Sequence, residues 1–257
     1  MSDQQEVIMQ KIAEARLIDD FFFEAFADDK AACEEILRTI LEDDQLTVIN
    51  VAIQSRKRNV WRVRFLCIMG DGSKSNVVIQ SGDNSDYFRR AWGNSVGIAV
   101  RDSMLEKRFD EILDLYMVHI SENDFIGGGK TIYHVDKLLR ETGGMINDGI
   151  HEVYVNTKIK DDSKISDLME CFTSKKVNDV KFPAITKRFR ELKETERGLA
   201  TVGGILRELI KRERKEERMI IICNLILHEV SKEKLMEVFS REECAKAEAI
   251  LREELDF

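Results

Sequence analysis

Few residues of this 257-residue chain stand at spacings that do chemistry. His119, His134, His151 and His228 lie apart, with no H-E-x-x-H pair and no matched carboxylate to complete a metal site. A single histidine on an apolar strand, as at His119, reads as a hydrogen-bonded structural residue. Cys33, Cys67, Cys171, Cys223 and Cys244 are scattered, odd in number and without a C-x-x-C pair. That pattern fits buried reduced thiols better than a disulfide frame or a zinc site. No cysteine has a neighbouring histidine to activate it. Gly129-Lys130-Thr131 after an apolar strand invites a phosphate-loop reading, but the earlier glycine that such a loop requires is here Asp124, whose charge repels phosphate. A glycine turn is expected instead, so local chemistry alone nominates no enzyme.

The elements that would position these residues follow from periodicity. Gln4 to Leu41 predicts helix, with Ile8, Ile12, Phe22, Phe26, Cys33, Ile36, Leu37 and Ile40 at three- and four-residue steps and a break near Asp28-Asp29. Leu46 to Gln54, Val60 to Met69 and Ser75 to Gln80 alternate or are β-branched, and Gly70-Asp71-Gly72 makes a turn between the last two. Three sequential antiparallel strands are expected. Asp86 to Ser103 returns to a helical pattern, Leu113 to Ile120 is apolar enough for a central strand, and His151 to Asn156 is a further short strand. Gly127-Gly128-Gly129 and Gly143-Gly144 punctuate loops, and from Ser163 the chain is nearly all helical. Leu199 to Leu227 forms one long helix, charged on every side from Lys211 to Arg218. Ser231 and Ser240 open two capped tail helices, with Leu235, Met236, Val238 and Phe239 on one side and Cys244, Ala247, Ile250 and Leu251 packing opposite. Arg241-Glu242-Glu243 is a poor surface for a major groove, so the tail reads as a packing or assembly element. This order implies an α/β sandwich with a helical C-terminal region.

Composition narrows the function. No apolar run approaches a membrane span, and Met1 to Glu6 lacks signal-peptide character, so no membrane association and a cytoplasmic location are expected. A formal charge of −8 argues against coating nucleic acid through the overall field. Met1 to Gln45 carries thirteen Asp/Glu against four Lys/Arg, whereas Thr186 to Arg218 carries eleven Lys/Arg against seven Glu. These segments are either solvated helix faces, or surfaces that meet each other, another subunit or nucleic acid.

The stretch Val118 to Asp136, then Glu141-Thr-Gly-Gly and Asp148 to Asn156, resembles the Rpn-type PD-(D/E)XK nuclease and putative transposase family of bacteria. Leu17 to Phe26 and the helical tail from Asn224 to Leu251 are also similar to it, while Gln54 to Ser103 matches more loosely. The resemblance implies a nuclease core of αβββαβ order, in which an Asp on the second strand and a Glu on the third, written E-x-K or E-x-Q, hold Mg²⁺. Such a hard cation orients a water and neutralises the scissile phosphate. On that reading residues 1–45 are the N-terminal helices of the core, 46–157 its sheet-and-helix body, and 158–257 a helical C-terminal region.

Here the two ligand positions fall on Arg64 and Val78, with only Gln80 of the E-x-Q retained. An arginine cannot lose its proton to bind a metal, and valine has no lone pair. No catalytic residue, metal or cofactor is therefore expected. Arg62 and Arg64 share one strand face by alternation, and Arg89-Arg90 open the following helix, so a basic cleft that binds nucleic acid is one reading. The other pairs Arg64 with Asp20 or Glu24 of the acidic first helix.

Three functions compete: a non-cleaving relative that binds nucleic acid or a protein partner, including a mobile-element or anti-defence role; an active Mg²⁺-dependent DNA endonuclease promoting recombination with migrated ligands among Glu24, Asp71, Asp83 and Asp86; and a structural homo-oligomer joined through the C-terminal helices.

Overall fold

In the computed structural model, residues 3–57, 60–81 and 113–255 are described. The chain divides into two compact units, Met1–Gly203 and Gly204–Phe257. The first opens with three helices, α1 (Asp3–Glu14), α2 (Asp20–Phe26) and α3 (Lys30–Ile40). The expected break at Asp28-Asp29 is present, because the Asp29 carboxylate accepts the amide of Ala32 at 3.0 Å and caps α3. A second break, unforeseen in the sequence, separates α1 from α2. There Asp19 turns back to accept both the Arg16 amide at 2.7 Å and its guanidinium at 3.0 Å, a local bond that competes with helix.

Strands β1 (Thr47–Lys57), β2 (Val60–Ile68), β3 (Lys74–Ser81), β4 (Asp114–Ser121), β5 (Ile132–Val135), β6 (Lys137–Leu138), β7 (Met145–Ile146) and β8 (Ile150–Asn156) follow. Six form one mixed sheet in the order β1-β2-β3-β4-β8-β5, and β6 and β7 form a separate two-stranded ribbon. β1, β2 and β3 are antiparallel neighbours as expected; β3, β4 and β8 are parallel. With a parallel partner on each side, β4 buries Met117, Val118, His119 and Ile120 consecutively, which is why its sequence reads as a continuous apolar run. The helix expected over Asp86 to Ser103 lies outside the described residues.

Alternation gives the sheet two faces. Val63, Phe65 and Cys67 of β2 are buried on one of them. The helices α2, α3, α4 (Lys164–Thr173) and α5 (Pro183–Glu194) supply the apolar layer of this unit. Phe22 meets Phe189 at 5.0 Å between ring centroids, and Phe23 stacks on both Phe26 and Phe172. Two polar contacts tie the layer together: Arg188 donates through one guanidinium nitrogen to the Ala25 carbonyl at 2.6 Å, and Glu35 accepts the Ile185 amide at the start of α5. The Lys193 ammonium donates to the carbonyls of Ala13, Ala15 and Lys175 and lies over the rings of Phe22 and Phe189. The helices that follow the sheet thus divide between the two units, α4 and α5 packing in the first.

Helix α6 (Glu196–Leu227) begins at a tight junction. Thr195 donates its hydroxyl to the Glu191 carbonyl that ends α5 and accepts the Gly198 amide that starts α6. In the second unit, Ile222 of α6, Leu235 of α7 (Lys232–Val238), Phe239, and Cys244 and Ala247 of α8 (Arg241–Leu255) form a small core. Ser240 caps α8 reciprocally, its hydroxyl accepting the Glu243 amide while Glu243 accepts the Ser240 amide. Met236 and Val238, expected to pack with Leu235 and Phe239, are instead exposed at 42% and 66%, because the seven residues of α7 turn only one narrow stripe inward. No helix among the described residues is long and apolar enough to cross a membrane.

Candidate functional site

The face of the sheet opposite Val63, Phe65 and Cys67 carries the residues singled out by their type. Register pairs Arg64 of β2 directly with Val78 of β3, and Arg62 with Gln80. Gln80 is paired in turn with His119 of β4, and His119 with Tyr154 of β8. One polar row therefore crosses four strands. Its links are specific: Arg62 Nε donates to Gln80 Oε1 at 3.3 Å, and Gln80 Nε2 lies 2.5 Å from His119 Nδ1. Because the amide oxygen accepts from arginine, the amide nitrogen must donate to the ring, which places the imidazole proton on Nε2. His119 then stacks on Tyr154 at 4.6 Å, and the tyrosine hydroxyl donates to Glu152 at 2.9 Å.

The electrostatics of this row favour a neutral histidine. Burial, and then the Arg62 charge, pull the His119 pKa down from 6.5 to about 3. Burial and the neighbouring Glu152 push the Tyr154 hydroxyl upward. One step along the strands, Arg64 Nε donates to Asn76 Oδ1 at 3.1 Å, and Val78 is fully buried in an apolar cluster with Leu115 and Met117. A divalent cation at the Arg64–Val78 pair would meet a guanidinium on one side and hydrocarbon on the other, which supplies neither oxygen ligands nor negative charge.

Of the acids named as alternative ligands, Asp71 lies away from this pair. Asp71 is exposed in the β2–β3 turn and accepts the Ser73 amide at 2.8 Å, which holds its carboxyl below the usual range. Four strand residues separate Arg64 from the end of β2, so the turn lies roughly 13 Å away. Glu24 is half-buried on α2. Glu152 does share the face, but two strands from Val78, roughly 10 Å, and bonded to Tyr154. Asp83, Asp86, Arg89 and Arg90 lie outside the described residues. Among the described residues no group of three His, Cys, Asp or Glu is placed to hold a metal ion.

In the sequence His119 reads as a structural residue, and no local pattern links it to Gln80 or Tyr154. The connection depends on the parallel register of β3, β4 and β8, which no local pattern encodes. Two other sequence features have plain structural roles. The Asp124 carboxylate accepts the amides of Gly127 and Gly129 and the hydroxyl of Tyr133, so the glycine loop cradles the chain's own carboxylate. The five cysteines are free, and burial raises the Cys67 and Cys171 thiols to about 12, which leaves them unreactive.

No family model, curated protein or solved structure matches the chain.

Proposed function

We propose that this protein is a non-cleaving nucleic-acid-binding protein built on a PD-(D/E)XK-like sheet. The observation that carries the reading is the Arg64–Val78 register pair. In the family that the sequence resembles, two carboxylates face each other across the second and third strands to hold Mg²⁺; here a guanidinium faces a buried isopropyl group. The strand arrangement is compatible with that family, since three antiparallel strands are followed by a parallel fourth. Arg62 and Arg64 stand on one face with Gln80, so positive charge is retained at the centre of the sheet where phosphate would approach. Binding through arginine needs no metal, and without a metal to activate water the bound strand is left intact.

The test is fluorescence anisotropy of labelled single- and double-stranded DNA and RNA in EDTA. Binding that survives chelation, weakens with rising salt and falls at least tenfold in Arg62→Gln/Arg64→Gln supports the reading. Absence of binding to all four probes refutes it and directs the search to a protein partner.

A further inference from the structure

The last turns of α6 have two apolar faces, and only one is covered. Met219, Ile222, Cys223, Leu225 and Ile226 face the small core with α7 and α8. On the opposite side, Ile220, Ile221 and Leu227 are exposed at 54%, 51% and 57%. Ile220, Asn224 and Leu227 follow one another at four- and three-residue steps, so they form a single stripe, with Ile221 at its margin. Extended toward the N-terminus at the same spacing, the stripe becomes acidic at Glu217 and Glu213.

We infer that this stripe pairs, antiparallel, with the same stripe of a second copy of this chain. Charge selects the occupant and its direction. A parallel pair would stack Glu213 and Glu217 on their own copies and set the basic turn Lys211-Arg212-Glu213-Arg214-Lys215 against itself. An antiparallel pair instead sets the aliphatic ends of the two stripes, Ile220 and Leu227, against each other and keeps Glu213 and Glu217 apart from their own copies. The basic turn then meets the C-terminal end of the other helix, whose free carbonyls carry partial negative charge, together with Glu229. Among the described residues Arg212 pairs with Glu216 and Arg218 with Glu243, whereas Lys211, Arg214, Lys215 and Glu229 have no ion-pair partner. All four are exposed. The second unit, Gly204–Phe257, buries only five side chains in its cluster, and covering the stripe adds to that small core. Three half-exposed aliphatic side chains are less than a standard interface of about 800 Å² per partner supplies, so association is weak, with Kd on the order of 10 µM. This contact is independent of the nucleic-acid reading.

Sedimentation velocity of the full chain tests it, from about 1 to about 100 µM. The expected result is a monomer–dimer equilibrium weakened tenfold or more by Ile220→Glu and by Leu227→Glu, with unchanged circular dichroism. Val180→Glu, at the most exposed apolar side chain of the first unit (94%), leaves it unaltered. Lys211→Glu/Lys215→Glu weakens the dimer, and adding Glu229→Lys recovers it. A monomer throughout, or a dimer indifferent to Ile220→Glu, overturns the proposal. Charge reversals that Glu229→Lys does not rescue overturn the antiparallel register.

Discussion

Replacing His119 by Phe should remove a specific part of the protein's acid sensitivity. His119 is fully buried, and its surroundings hold the pKa near 3, against 6.5 for the unperturbed ring. Folding therefore keeps the ring neutral over a range in which the unfolded chain protonates it, and stability falls as pH drops through 6.5 toward 3. At pH 5 the unfolded state gains about 1.4 kcal/mol for each of 1.5 pH units, or about 2 kcal/mol. Phenylalanine keeps an aromatic ring against Tyr154 and cannot titrate. It also deprives the Gln80 amide of its acceptor, a pH-independent cost of about 1–3 kcal/mol. Urea unfolding followed by far-UV circular dichroism at pH 7.5, 6 and 5 separates the two effects. Whatever the offset between the two proteins at pH 7.5, it shifts toward the variant by about 2 kcal/mol between pH 7.5 and 5. Parallel curves for the two proteins would refute the neutral buried histidine.

Three further substitutions test the framework. In Gly198→Ala the added Cβ would lie 2.1 Å from the Glu191 carbonyl oxygen and 2.6 Å from the Leu192 Cα, both backbone atoms, so the α5–α6 junction must open at a cost of about 3 kcal/mol or more, read as a lower unfolding midpoint. Lys193→Met leaves the carbonyls of Ala13, Ala15 and Lys175 without their shared donor and should cost about 2–4 kcal/mol, with hydrogen exchange of α1 accelerating first. Ser240→Ala removes one half of the α8 capping box and should cost about 1 kcal/mol by thermal denaturation.

Much of the fold is legible in the sequence because its signals are local. Alternation in Val60 to Met69 places Arg62 and Arg64 on one face, and counting back from the Gly70-Asp71-Gly72 turn pairs Arg64 with Val78 as observed. β4 is legible as a buried strand because two parallel neighbours demand apolar residues on both faces. What escapes reading depends on contacts distant in sequence or on one side chain's choice of partner. The turn at Arg16–Asp19 hangs on a carboxylate that bonds backward, whereas the same residue type at Asp29 bonds forward. The Gln80–His119–Tyr154 row exists only once β3, β4 and β8 are in parallel register, and residues 82–113 separate the first two of these strands. The exposure of Met236 and Val238 follows from the single inward stripe of a seven-residue helix, which apolar content alone does not reveal.

A plasmid and single-strand cleavage assay with Mg²⁺, Mn²⁺ or EDTA decides whether the Arg64–Val78 pair leaves the protein unable to cut. The native protein is run beside Arg64→Asp/Val78→Glu, which places two carboxylates at facing positions. The expected result is no cleavage by the native protein under any condition and metal-dependent cleavage by the double variant. Metal-dependent cutting by the native protein, abolished by EDTA, would contradict it.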